Sequence, residues 1–131
     1  HFPASGGLGF GLPAAVGISL ASPNATVVAT VGDGSANYGI TALYTAAQRS
    51  TRTVFVIVNN SGYGALTGFA RRMGTPDVPG LVLGDIDFVS LARGYGVPAT
   101  RTTTREEFDA AYRQALADDG PVLIDARIIP A

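Results

Sequence analysis

There is no cysteine among the 131 residues, which excludes a disulfide framework, a thiolate nucleophile and a cysteine-based zinc site, and leaves the compartment unfixed by redox chemistry. Charge is scarce too. Only 15% of residues are charged, the net is -1 and no basic cluster forms, so the chain lacks an electrostatic footprint for nucleic acid or an anionic membrane. The single histidine, His1, sits at the terminus and is not read as catalytic. Long apolar runs are also missing: residues 6–21 are mostly apolar, but the stretch is shorter than a bilayer span, holds Pro13 and several glycines, and lacks a basic leader. It reads as buried core, and the expected location is cytoplasmic. The chain opens on His1 and not on Met, so it is read as a processed product, an engineered segment or a piece of something longer.

Hydrophobic residues make up 47% of the chain, enough for a packed core that buries about two-thirds of the unfolded surface. Apolar strand-like runs at 26–31, 53–58, 97–102 and 121–129 alternate with helical patterns at 12–21, 36–49, 65–72, 87–93 and 105–118. Ile40, Leu43, Tyr44 and Ala47 share one helical face; Asp87 is a plausible N-cap, and Thr104 to Glu107 matches a capping box. Residues 74–84 carry no period and are expected to form a mobile surface loop. No repeat or linker divides the chain. Such alternation predicts an α/β fold, a doubly wound parallel sheet with helices on both faces. Its first visible element is a helix, so the domain is expected to be truncated at its N-terminus.

The chemistry gathers at Gly32-Asp33-Gly34, where a strand gives way to a helix, and at Asn59-Asn60, where the next strand ends; 24 residues separate Gly34 from Asn59. If the two strands are parallel neighbours, their C-terminal ends lie about 5 Å apart. Asp33 and Asn60 are then placed to hold one ion. A lone Gly-Asp-Gly is an ordinary turn, but a plain loop needs no paired amides. Asn adds a neutral oxygen to a hard-cation shell, which suits Mg²⁺ already carrying a diphosphate. Gly9-Phe10-Gly11-Leu12-Pro13-Ala14 fits the dinucleotide pattern G-x-G-x-x-A, with Asp33 lying 22 residues past Gly11, though that fingerprint should follow a strand. Ser35 reads as either an N-cap or a phosphate contact, and Tyr63 as either a core residue or an anion donor. Leu66 and Phe69, one helical turn apart, read by default as core.

The pattern Gly-Asp-Gly, about two dozen residues, then Asn-Asn resembles the signature of the thiamine-diphosphate enzymes. Gly6-Gly7-Leu8-Gly9-Phe10, Leu12-Pro13-Ala14-Ala15, Gly32 to Tyr38, Thr45 to Gln48, Tyr63-Gly64-Ala65-Leu66 and Gly94-Tyr95-Gly96-Val97 are similar to the benzoylformate decarboxylase branch, in its C-terminal diphosphate-binding domain. The resemblance covers almost all of 1–131 and implies that the pyrimidine-binding and central domains lie outside it. It implies a metal set of Asp33, Asn60 and the Gly62 carbonyl around Mg²⁺, with Gly32, Gly34, Ser35 and Tyr63 near the diphosphate. Leu8 would wedge thiamine diphosphate into its bent shape, and the Gly6 carbonyl would accept from the aminopyrimidine. Phe2, Ala65, Leu66 and Phe69 would line a pocket for an aryl 2-keto acid. The implied enzyme converts benzoylformate to benzaldehyde and CO₂ as a homo-oligomer, a tetramer, of a longer chain.

The family's activating glutamate and its substrate-handling histidine and serine are not found here. Glu106 and Glu107, the only glutamates, belong to a helix start. The piece alone is therefore expected to be inactive, with no catalytic residue of its own. An acetolactate synthase-like thiamine enzyme and a non-catalytic nucleotide-binding module are the alternatives.

Overall fold

A computed structural model describes residues 6–128. Ten elements follow one another: α1 (Gly11–Ala21), β1 (Val27–Gly32), α2 (Asp33–Gly39), α3 (Ala42–Gln48), β2 (Thr53–Asn59), α4 (Gly64–Arg72), α5 (Phe88–Gly94), β3 (Ala99–Thr102), α6 (Arg105–Ala117) and β4 (Val122–Arg127). The four strands make one parallel sheet in the order β1-β2-β4-β3. Moving from β1 to β2 and on to β3 goes one way across the sheet, and the return from β3 to β4 goes the other. Right-handed crossovers must then put the first helices on one face and α6 on the opposite face.

The two cores obey that rule. On one face Phe55, Ile57 and Leu123 pack with Leu12, Ala15 and Val16 of α1, Ala36 of α2, Leu43 and Ala46 of α3, and Phe88 and Ala92 of α5. On the other, Val54, Val56 and Ile124 pack with Ala115, Phe108, Ala111 and Tyr112 of α6 alone. Because β2 is central and covered on both faces, its residues are buried almost without a break, which is why it reads as a continuous apolar run. At the sheet edge β1 alternates instead, and its Val28 and Thr30 stay exposed on the α6 side, beyond that helix's reach.

Several expectations change in the structure. The helix expected over 36–49 is two short helices that meet at Ile40 and Thr41, and the Gly-Asp-Gly turn is the first turn of α2. Ile40 and Leu43 are buried as expected, whereas Tyr44 is exposed. Only one side of α1 is core: Ile18 and Leu20 face outward. The segment between α4 and α5 is fastened where it passes Ser61 to Tyr63, since Tyr63 N donates to Leu81 O at 2.9 Å and Leu83 N to Ser61 O at 2.9 Å. The capping box holds, with Glu107 N donating to Thr104 Oγ1 at 3.2 Å and the Glu107 carboxylate accepting from Thr103 N and Thr104 N. Asp87 caps α5 through Ser90 N.

Candidate functional site

Register places the site. Gly32 of β1 pairs with Val58 of β2, so Asp33 and Asn60 leave adjacent parallel strands at nearly the same height. This is the carboxyl edge of an open α/β sheet, where such folds bind ligands. Gly32 is extended (φ -67°, ψ 151°) and serves as N-cap without a side chain, which turns the strand directly into α2 and leaves Asp33 as its first residue. Asp33 is only 3% exposed. Its Oδ2 accepts from Gly62 N at 3.0 Å, and Asn60 Oδ1 approaches the same N–H at 3.3 Å. The two side chains predicted to share an ion are thus brought together over one backbone amide, with Gly62 as the third member.

The phosphate-side residues form a second contact. A Cβ on Gly34 would stand 2.4 Å from Tyr63 Cε1, so this position accepts no side chain while the ring is in place. Tyr63 is half-buried against α2 and belongs neither to the core nor to open solvent. The Tyr38 hydroxyl beside it, desolvation and the nearby Asp33 charge push the Tyr63 hydroxyl above its ordinary pKa. Ser35 Oγ accepts from Gly9 N at 3.1 Å, tying the glycine loop to α2; as the third helical residue Ser35 is not the N-cap. Gly9 itself adopts φ +84°, a conformation that suits glycine.

Gly6, Leu8, Gly32 and Ser35 line a groove of about 950 Å³ between the glycine loop, α1 and the outer edge of β1. The cofactor residues therefore fall into two groups that meet at the start of α2: the groove on one side, and Asp33, Gly34, Asn60, Gly62 and Tyr63 on the other. Leu66 and Phe69, read as core by default, are 52% and 55% exposed, and Ala65 beside them is exposed as well. That outward face is compatible with the pocket role and contradicts the core role. Phe2 lies outside the described residues.

Asn59 is not a partner of Asn60 at the site. Its Nδ2 donates to Asp125 Oδ1 at 2.8 Å and its Oδ1 accepts from Ser61 N at 3.1 Å, so it faces into the sheet. Asp125, fully buried on β4 and paired with Arg101 at 2.8 Å, went unnoticed in the sequence. Its signal was there: a lone carboxylate within the apolar run Val122 to Ile128.

Does the donor set suit a metal? Among the described residues no three His, Cys, Asp or Glu side chains cluster. One carboxylate, one amide oxygen and one carbonyl make a hard oxygen set too small to saturate an ion, which fits Mg²⁺ that brings phosphate oxygens and water of its own. The nucleotide alternative loses its acid, since Asp33 faces Gly62 and not the G-x-G-x-x-A glycines.

Fold and site together define a cofactor-binding α/β domain. The profile described as "Thiamine pyrophosphate enzyme, C-terminal TPP binding domain" matches residues 2–126, and the chain belongs to that family, whose cofactor is thiamine diphosphate. Over 124 residues it is 57% identical to a benzoylformate decarboxylase of Pseudomonas aeruginosa, covering 95% of this chain and 24% of that one. The "Putative acetolactate synthase large subunit IlvX" of Mycobacterium tuberculosis is 43% identical over 134 residues, 96% of this chain and 26% of its own. The solved thiamine diphosphate-dependent 4-hydroxybenzoylformate decarboxylase of Rhodococcus jostii RHA1 superposes with a TM-score of 0.97 at 56% identity, covering all of this chain and 25% of that one. The chain thus spans about a quarter of the length of these relatives.

Proposed function

We propose that residues 1–131 are the diphosphate- and Mg²⁺-binding part of a thiamine-diphosphate-dependent decarboxylase of aryl 2-keto acids, taking benzoylformate to benzaldehyde and CO₂ within a longer, homo-oligomeric and cytoplasmic protein. The convergence of Asp33 and Asn60 on the Gly62 N–H carries this reading, because it builds the single-carboxylate oxygen set that a metal-bound diphosphate needs. The Asp33 carboxylate is the group assigned to the metal, beside Asn60 Oδ1 and the Gly62 carbonyl. Gly34 and the Tyr63 hydroxyl then face the diphosphate, and Gly6, Gly32, Ser35 and Leu8 shape the groove for the rest of the cofactor. When bound, thiamine diphosphate supplies the electron sink for loss of CO₂. The chain's own part is placement and exclusion of water. No glutamate stands near the site, as Glu106 and Glu107 are held at the start of α6, so the activating acid must come from elsewhere in the longer protein.

The choice of an aryl substrate is supported by the higher identity to a benzoylformate decarboxylase and by the apolar, outward Ala65, Leu66 and Phe69 on α4, which Phe2 is proposed to complement. The acetolactate synthase reading keeps the same metal site but condenses small keto acids, and the 43% identity on that side favours it less than the 57% on the other. Feeding the full-length protein benzoylformate and pyruvate in parallel separates the two: benzaldehyde supports the decarboxylase, acetolactate the synthase. Within that assay Ala65→Ile should shift preference toward small aliphatic keto acids, since one methylene is worth about 1–3 kcal/mol of discrimination. An unchanged substrate ratio removes α4 from the pocket.

A further inference from the structure

The metal loop does not hold its own shape. Asn60 and Gly62 depend on Ser61, a non-glycine residue at φ +61°, and the Ser61 N–H is secured by Asn59 Oδ1 at 3.1 Å. The orientation of the Asn59 amide is in turn dictated by its other end: Asp125 offers only acceptors, so Nδ2 must face it, at 2.8 Å, and Oδ1 is left for Ser61. Asp125 is fully buried at the centre of this chain of contacts, accepting from Asn59 through Oδ1 and from Arg101 Nε through Oδ2 at 2.8 Å. Arg101 stands at the sheet edge on β3, in register with Asp125 and within 3.5 Å of Asp87, the cap of α5.

We propose that Asp125 and Arg101 are positioning residues for the metal loop, acting through Asn59 to fix Ser61 and hence the direction of the Asn60 and Gly62 oxygens. The inference rests on the assignment of Asp33, Asn60 and Gly62 to the metal. None of the three residues Asn59, Asp125 and Arg101 touches the ion. Their effect is on geometry, and geometry distinguishes cations: Mg²⁺ demands near-ideal octahedral placement of its oxygens, whereas Ca²⁺ tolerates irregular shells. A loosened loop should therefore lose Mg²⁺ more than Ca²⁺.

The experiment is calorimetric titration of each cation, with thiamine diphosphate saturating, into the full-length protein and its Asp125→Asn, Arg101→Gln, Phe108→Leu and Asp33→Ala variants. Asp125→Asn presents an amide where both neighbours need an acceptor, and should weaken Mg²⁺ binding about tenfold to a hundredfold, as loss of groups supporting metal ligands does. Ca²⁺ binding should fall less, so the ratio of the Mg²⁺ to the Ca²⁺ dissociation constant rises. Arg101→Gln, at the half-exposed edge, should move the ratio the same way and decides the matter if Asp125→Asn does not fold. Phe108→Leu, a change in the partly buried packing of α6 on the sheet, should lower the melting temperature and leave the ratio at its parental value. Parental affinities and ratio in a folded Asp125→Asn, or in Arg101→Gln, overturn the positioning role while the Asp33→Ala loss still stands. Parental binding in Asp33→Ala overturns the metal assignment and this inference with it.

Discussion

At the level of single residues, the site works through small groups that make room and polar groups that point. Gly34 is the clearest case, because a methyl there would overlap the Tyr63 ring, which is held between α2 and the loop after β2. Gly34→Ala should displace the ring at a cost of about 1–3 kcal/mol, typical of overpacking, and should also weaken thiamine diphosphate binding. Denaturant melts and cofactor titration of the full-length variant check both; unchanged affinity would detach Tyr63 from the cofactor. Asp33 and Asn60 were legible as a candidate pair since each sits where an apolar strand stops, and strand ends are easy to mark, whereas Gly62 entered only through the family resemblance. Asn59 was legible only as a residue type. Its side chain turns toward Asp125 of β4, 66 residues later, and no local pattern reports which distant strand becomes the neighbour.

At the level of elements, strand and helix existence was legible throughout, while continuity was not. The pattern across 36–49 is helical on both sides of Ile40, yet the hydrogen bonding tightens there, with Leu43 N donating to Ile40 O and Tyr44 N to Thr41 O, both at 3.1 Å, and the helix divides in two. Side-chain periodicity does not report that change, because Ile40 and Leu43 keep the same buried face across it. Capping chemistry was more reliable because it is local. The Glu107 carboxylate accepts from the Thr103 and Thr104 amides, chiefly Thr103, which holds its pKa below the usual carboxylate range. A lowered folded-state pKa means stability present above the unfolded value and lost as pH falls through the folded one. The melting-temperature gap between the parent and Glu107→Ala should therefore be widest near neutral pH and close on acidification; a gap independent of pH would contradict the capping role. In α4, Gly68 has open space where a Cβ would point, so Gly68→Ala should stabilise the helix by about 0.5–1 kcal/mol. A destabilised variant would mean that this face is occupied.

At the level of the whole molecule, the doubly wound parallel order was legible from the alternation of elements, but the uneven cover of the sheet was not. α6 alone lies on one face, Val28 and Thr30 of β1 stay open, and Leu8, Leu66 and Phe69 point outward, surfaces that a longer, oligomeric protein would bury. Supplied alone with thiamine diphosphate, Mg²⁺ and benzoylformate, the 131 residues should release no benzaldehyde. Turnover on the order of 1 per second or more would reveal an activating acid within the chain and break the division of labour described above. That division rests on one carboxylate. Titration of thiamine diphosphate in the presence of Mg²⁺ into the full-length protein and its Asp33→Ala variant measures the claim most directly: saturable, Mg²⁺-dependent binding by the parent and none by Asp33→Ala is the expected result, and equal affinity for both would contradict the assignment of this site.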